Sequence, residues 1–237
     1  MNSKILIFSA TYNEAENIKT FLDKIFSNKI DLDVLIVDDN SPDKTWSFIE
    51  EYKNTKKKKI KLIKRSGKFG LNTAHKLGFE YAKKNQYDIL ITLDADLSHD
   101  PTAIPTFIEK LKNYPFVIGS RYVEGGKNEM SFSRYLLSYL GNKLIKFLLR
   151  IQIDEFTTSY RGFNLKLLKN FDLNDVSLNG YSFFMGTIHL LKITGNDMTQ
   201  VPIKFKDREK GKSKIPKIEI FRTLINLFLI KLKFIKK

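Results

Sequence analysis

The feature that most constrains the fold of this chain is an alternation. Short β-branched and apolar runs take turns with longer stretches whose apolar residues recur every three or four positions. Lys4–Ser9 (KILIFS), Asp33–Asp39 (DVLIVDD), Lys59–Arg65 (KIKLIKR), Tyr87–Asp96 (YDILITLDAD) and Pro115–Ser120 (PFVIGS) read as five strands. Between them, Glu14–Phe26 sets Ile18, Phe21, Leu22 and Ile25 on one helical face. Ser41-Pro42-Asp43 reads as a turn or cap with Pro42 at the first helical position, opening a helix that runs through Tyr52. Thr73–Lys84 and the stretch after Pro101 read as two more helices. Strands alternating with helices predict an α/β chain with a mostly parallel central sheet covered on both faces.

In such sheets ligands bind beyond the carboxyl ends of the strands. The unusual polar residues fall there. Thr11-Tyr12-Asn13-Glu14 follows the first strand, Asp38-Asp39 the second, Asp94-Ala95-Asp96 the fourth and Ser120-Arg121-Tyr122 the fifth. Asp94 and Asp96 project to the same side of an extended segment, because strand side chains alternate. Two like charges so placed are costly unless a cation accompanies them. A hard divalent ion answers this, with Ser98 as a further oxygen and a substrate diphosphate completing the shell. The competing reading makes both aspartates caps for the helix near Pro101; a cap needs one side chain, and Asp100 serves. For Asp38 a ligand role and a turn role are evenly matched. Lys68, between Gly67 and Gly70, lacks a phosphate-loop pattern and reads as a turn entering a helix. His75, His99 and His189 form no metal cluster, and no Ser/His/Asp set is evident.

The second half is less regular. Ser131–Arg150 is apolar and basic at helical spacing, Asp154–Phe163 (DEFTTSYRGF) reads as a loop, and Gly180–Leu191 as partly helical. Gln200–Phe205 reads as a short strand, followed by the basic loop Lys206–Lys214. In Ile218–Ile235 the residues Phe221, Leu224, Ile225, Phe228, Leu232 and Ile235 fall on one helical face, with Arg222, Asn226 and Lys233 on the other. That is a basic amphipathic helix, suited to a membrane interface or to docking on the core. The chain therefore divides into residues 1–214, an α/β domain, and residues 215–237, a C-terminal helix expected at a membrane surface.

The formal net charge of the 237-residue chain is +15, which points to an anionic partner. The strand-end aspartates would repel a polyanion, so nucleic acid is not expected. There is no cysteine, which removes disulfides and thiolate metal sites. With no signal peptide evident and no run of about 18 apolar residues, a cytoplasmic, peripheral location is expected.

Taken in order, ATYNEAENI, VLIVDDNSPDKT, GKFGLNTAHKLGF, LDADLSHDP, GSRY, TTSYRGF, GYSFFM and VPIKFKDREKGKSK resemble the family 2 glycosyltransferases, and among them the dolichyl-phosphate (polyprenyl-phosphate) mannosyltransferase branch. The resemblance runs through nearly the whole chain. It implies a GT-A, Rossmann-like fold and inverting transfer of a sugar from a nucleotide-sugar to a polyprenyl phosphate. Mannose from GDP-mannose is the first expectation, and a UDP-sugar or a glycan hydroxyl acceptor the alternative. By the family pattern Ala10, Tyr12, Glu14, Val37 and Asp39 line the nucleoside pocket. Asp94, Ala95 and Asp96 meet the diphosphate, and Asp94, Asp96 and Ser98 hold Mg²⁺ or Mn²⁺. Arg121, Arg208 and Lys214 contact phosphate and, with Asp96, form the catalytic set, while Arg134 contacts the acceptor phosphate. The chain departs from the pattern at Ala10 (usually Pro), Phe184 (often Gln) and Gly186 (often Glu).

Overall fold

A computed structural model describes residues 3–206 and 218–232. Seven strands make one sheet, in the spatial order β3 (Ile60–Lys64), β2 (Asp33–Asp38), β1 (Ile5–Thr11), β4 (Ile89–Thr92), β7 (Arg161–Asn164), β5 (Phe116–Ser120) and β8 (Met198–Pro202). All neighbours are parallel except β7, which runs antiparallel to both β4 and β5. A small parallel pair, β6 (Lys127–Glu129) with β9 (Lys204–Lys206), lies apart from it.

The apolar runs become strands because both sheet faces are covered. Along β1, Leu6 and Phe8 enter one core while Ile5 and Ile7 enter the other, as the two-residue period requires. Helices α1 (Ile18–Phe26), α2 (Thr45–Lys56) and α4 (Ile104–Leu111) cover the second face, and their buried residues include the expected Ile18, Phe21, Leu22 and Ile25. Helices α3 (Leu71–Lys84), α5 (Phe132–Leu149), α6 (Tyr181–Ile193) and α7 (Ile218–Lys231) contribute to the first. On α3, Gly78 allows close approach to the sheet: a Cβ there would lie 2.5 Å from the Phe8 ring. All five strands expected in the first half are present, their carboxyl ends aligned by the pairs Thr11–Asp38 and Phe8–Thr92.

Two expectations need correction. The helix after Ser41-Pro42-Asp43 begins at Thr45, not Pro42. Asp43 Oδ1 accepts from the Thr45 amide at 3.0 Å, and Pro42 lies in the preceding turn. The expected loop Asp154–Phe163 ends in a strand, since β7 starts at Arg161. Helix α7 falls within the expected stretch Ile218–Ile235, and part of its apolar stripe faces away from the core. Leu227 and Ile230 are buried and Asn226 Nδ2 donates to Ser182 Oγ at 2.9 Å, while Ile225, Phe228 and Leu232 stay exposed. Residues 207–217 and 233–237, including Arg208 and Lys214, lie outside the described residues.

Candidate active site

The strand ends converge on one edge. At the end of β2, Asp38 is fully buried and consumed by the turn. Its carboxylate accepts from Thr11 Oγ1 (2.8 Å), the Ser41 amide (2.9 Å) and Ser41 Oγ (2.6 Å). This decides the evenly matched readings in favour of structure. Asp39, next to it, forms an ion pair with Arg65 at the end of β3, and both side chains are 10% exposed. Burial raises the Asp39 carboxyl above the usual range, with the Arg65 guanidinium opposing it. Arg65 also donates to Thr73 Oγ1 (2.6 Å) and the Gly70 carbonyl (3.3 Å), so it fastens the GKFG turn to the pocket rim.

Of the other nucleoside candidates, Glu14 receives a hydrogen bond from Asn17 Nδ2 at 2.8 Å, while its own amide donates to Thr45 Oγ1 at 2.9 Å. Tyr12 carries Lys68 Nζ 4.5 Å above its ring, which joins the first strand's end to the GKFG turn. Ala10 is partly buried against the core. Val37 is wholly buried within it, so its side chain forms the floor beneath this edge.

Beyond β4 the chain turns sharply, with Leu97 at φ 64°. Asp96 is 3% exposed, and its Oδ1 accepts from the Ser98 amide (3.0 Å) and Ser98 Oγ (2.6 Å). Ser98 therefore orients the carboxylate, and its hydroxyl keeps lone pairs that can face a cation. Ala95 is buried. Asp94 is more open; its amide donates to His99 Nδ1 at 3.3 Å. With Nδ1 accepting, His99 Nε2 donates to Thr158 Oγ1 at 3.0 Å, which is the neutral tautomer. Burial lowers the His99 pKa, and Asp94, Asp96, Arg121 and Glu155 all act on it electrostatically, so these groups share one small volume. Asp100 caps the following turn, accepting from the Thr102 amide at 3.1 Å.

Arg121, just past β5, is held from beneath. Its Nε donates to Glu155 Oε2 at 2.8 Å, and Glu155 is fully buried. The guanidinium lies 4.6 Å over the Phe205 ring of β9 and 5.3 Å over Tyr122. Glu155 is oriented in turn by Thr157, whose amide (3.1 Å) and hydroxyl (2.8 Å) donate to Oε1. Arg134 is exposed in the first turn of α5. The Lys206 amide donates to the Ser98 carbonyl at 3.1 Å, so the chain leaves the described residues beside the Asp94–Asp96 turn.

Among the described residues no three His, Cys, Asp or Glu side chains are grouped to hold a metal. Asp94, Asp96 and Ser98 offer two carboxylates and a hydroxyl, an incomplete all-oxygen set. That set fits Mg²⁺ or Mn²⁺ if diphosphate oxygens supply the rest. Gly186 is packed against apolar side chains: a Cβ there would come 2.8 Å from Leu178 Cδ1 and 3.1 Å from Val176 Cγ1. Sequence reasoning missed Arg65, Glu155 and Phe205. Arg65 at least shared the strand-end position of the other motifs.

This is the arrangement of a GT-A nucleotide-sugar transferase. Glucosyl-3-phosphoglycerate synthase from Mycobacterium tuberculosis, solved with Mn²⁺, UDP and glucosyl-3-phosphoglycerate, superposes with a TM-score of 0.66 at 18% identity, over 97% of this chain and 80% of that one. Mannosyltransferase PcManGT from Pyrobaculum calidifontis, solved with GDP-Man and Mn²⁺, gives 0.61 at 18% identity, over 98% and 65%. An undecaprenyl-phosphate mannosyltransferase of Micrococcus luteus is 32% identical over 213 residues, 90% of this chain and 87% of that protein. The family model described as Glycosyl transferase family 2 matches residues 7–171, and the chain belongs to that family of glycosyltransferases.

Proposed function

We propose that the protein transfers mannose from GDP-mannose to a polyprenyl phosphate, with inversion, at the cytoplasmic face of a membrane. One observation carries this reading: the cationic side of the cleft opens onto exposed apolar helix. Tyr122, adjacent to Arg121, bonds through its hydroxyl to Ser138 of α5 at 2.8 Å. On α5, Phe132, Leu136, Leu137, Leu140, Leu144 and Phe147 are exposed, among Arg134, Lys143 and Arg150. A lipid headed by a phosphate is the acceptor that satisfies both features. The Micrococcus relative supports the same acceptor and sugar.

In this reading Asp39 and Tyr12 hold the nucleoside, and Asp94 and Asp96, with Ser98, hold a divalent ion against the diphosphate. Bound there, the ion offsets charge on the departing nucleotide. Arg121, fixed by Glu155, and Arg134 orient the acceptor phosphate; Arg208 and Lys214 add cations to the phosphates. An acceptor phosphate oxygen attacks the anomeric carbon from the face opposite the leaving group. The carbon–oxygen bond to the nucleotide breaks, and GDP departs with the electron pair. A phosphate monoester has its second pKa near ~6 and is largely dianionic at neutral pH. No proton has to be removed, so neither a histidine base nor an acidic residue at Gly186 is required.

Residues 215–237 act in this scheme as an interfacial element, and the described part, α7, packs beside α5. No helix among the described residues is long and apolar enough to cross a membrane; in this scheme the exposed apolar residues of α5 and α7 rest on the membrane surface, with their cations toward anionic headgroups. The test is a transfer assay with labelled GDP-mannose, UDP-glucose or UDP-N-acetylglucosamine, a polyprenyl phosphate, and Mn²⁺ or Mg²⁺. Lipid label from GDP-mannose alone, lost in Asp96→Asn, is expected. Label from a UDP-sugar instead would reassign the donor, and none from any donor would refute the acceptor.

A further inference from the structure

A row of three tyrosines leads away from Arg121. Tyr122 lies 6.1 Å from Tyr135 and 5.7 Å from Tyr139, and the last two, one turn apart on α5, are stacked at 5.9 Å with planes 19° apart. All three rings are half-buried, yet none belongs to either apolar core. Core packing therefore does not account for them. Tyr122 adjoins Arg121, and on α5 Tyr135 and Tyr139 share their turns with Arg134 and the exposed Leu136, Leu137 and Leu140. The three rings differ from Phe132 and Phe147, 78% and 77% exposed, which are placed as a bilayer anchor would be. The tyrosines instead gather around Tyr122, whose ring lies under the Arg121 guanidinium.

We propose that Tyr122, Tyr135 and Tyr139 form a subsite for the first isoprene units of the acceptor. The inference rests on the lipid-phosphate reading above. In an isoprenyl phosphate the methyl-branched chain begins at the phosphate oxygen, so a phosphate held by Arg121 and Arg134 delivers its first units to this row. Aromatic side chains offer rigid apolar walls at little cost in conformational entropy, and their hydroxyls tolerate the wet end of the chain. The subsite grips the acceptor itself, separately from the grip of α5 on the bilayer. It makes the enzyme competent on short isoprenyl phosphates without a membrane, and favours them over straight chains.

The experiment uses the full chain without detergent or lipid, GDP-mannose, and two soluble acceptors: a monophosphate of two isoprene units and n-decyl phosphate. Wild type should show the lower KM for the isoprenyl phosphate. Tyr135→Ala and Tyr139→Ala should raise that KM about tenfold, the loss of roughly one aromatic contact, and erase the preference. Their kcat, GDP-mannose KM and binding to vesicles containing anionic lipid should hold. Tyr139→Phe should retain the wild-type KM. An unchanged acceptor KM in both alanine variants overturns the proposal: with weakened vesicle binding the row is a membrane anchor, and with a lowered Tm it is a packing element. A wild type that labels no lipid phosphate from any donor refutes the acceptor reading instead, and the subsite falls with it.

Discussion

Replacing Glu155 by leucine tests how the cleft keeps its central cation in place. The Arg121 and Glu155 side chains are 6% and 0% exposed, and they meet at 2.8 Å. Removing one partner of a buried pair leaves an uncompensated charge, which costs about 3–5 kcal/mol. Arg121 keeps its place over Phe205 and Tyr122, so the low end, about 3 kcal/mol, applies. Unfolding entropy near ~2.1 cal/mol/K per residue, over 237 residues, gives about 0.5 kcal/mol/K. Glu155→Leu should therefore lower the Tm by about 6 °C in a circular-dichroism melt. Arg121→Met should cost a similar amount, because it strands the carboxylate. The double variant joins two apolar side chains and should recover most of the loss, while transferring no sugar because the phosphate has lost its guanidinium. A Glu155→Leu melt within about 1 °C of wild type would show the pair to be effectively solvated and refute the reasoning.

Other expectations follow from the same geometry. Asp38→Asn should cost about 2 kcal/mol in chemical denaturation, because an amide cannot accept all three hydrogen bonds that the carboxylate does. Burial, with Arg161 adding to it, lowers the His75 pKa to about 3, against ~6.5 unfolded. As pH falls below ~6.5 the unfolded chain takes up the proton first, so stability declines by about 2 kcal/mol from pH 7 to 5. His75→Phe, which keeps the ring contacts to Phe8 and Phe184, should flatten that decline in guanidinium titrations; an unaltered slope would assign it elsewhere. Leu137→Glu with Leu140→Glu should abolish sedimentation with anionic vesicles and leave the Tm unchanged, since both residues are exposed. Chelation with EDTA should stop transfer, Mn²⁺ or Mg²⁺ should restore it, and Asp96→Asn should remain inactive at every metal concentration.

The parallel half of the sheet was legible because doubly buried strands are nearly uninterrupted apolar runs, as in Lys4–Ser9 and Asp33–Asp39. The edge carrying the site was legible for the same reason: where those runs end, charges begin. β7 was hidden by Arg161, a charge that local pattern assigns to solvent. In the fold it is fully enclosed, and its guanidinium donates to the carbonyls of Thr158 (2.8 Å), Phe184 (2.8 Å) and Phe156 (2.9 Å). Thr158 and Phe156 lie within five residues, but as bare carbonyls they leave no mark in a side-chain pattern, and Phe184 is 23 residues away. Glu155 was hidden because its partner, Arg121, lies 34 residues away in the sequence. In α7 the periodicity identified a stripe, but not the side that would dock. Ser182 and the core around Leu227 and Ile230 make that choice.

The antiparallel β7 also has a consequence for synthesis of the chain. β4 and β5 do not pair with each other; each pairs with β7, with Leu90 opposite Phe163 and Phe116 opposite Phe163. β5 in turn awaits β8, through Phe116 and Met198. A nascent chain that has emerged only as far as α5 therefore holds three strand edges with no partner, one on β4 and both on β5. Such non-local closure is slow and leaves sticky edges open while it waits. The first half, though it carries most of the donor-side motifs, is not a separable folding unit, and shielding of that half until residue 200 or so has emerged would govern the yield of folded enzyme.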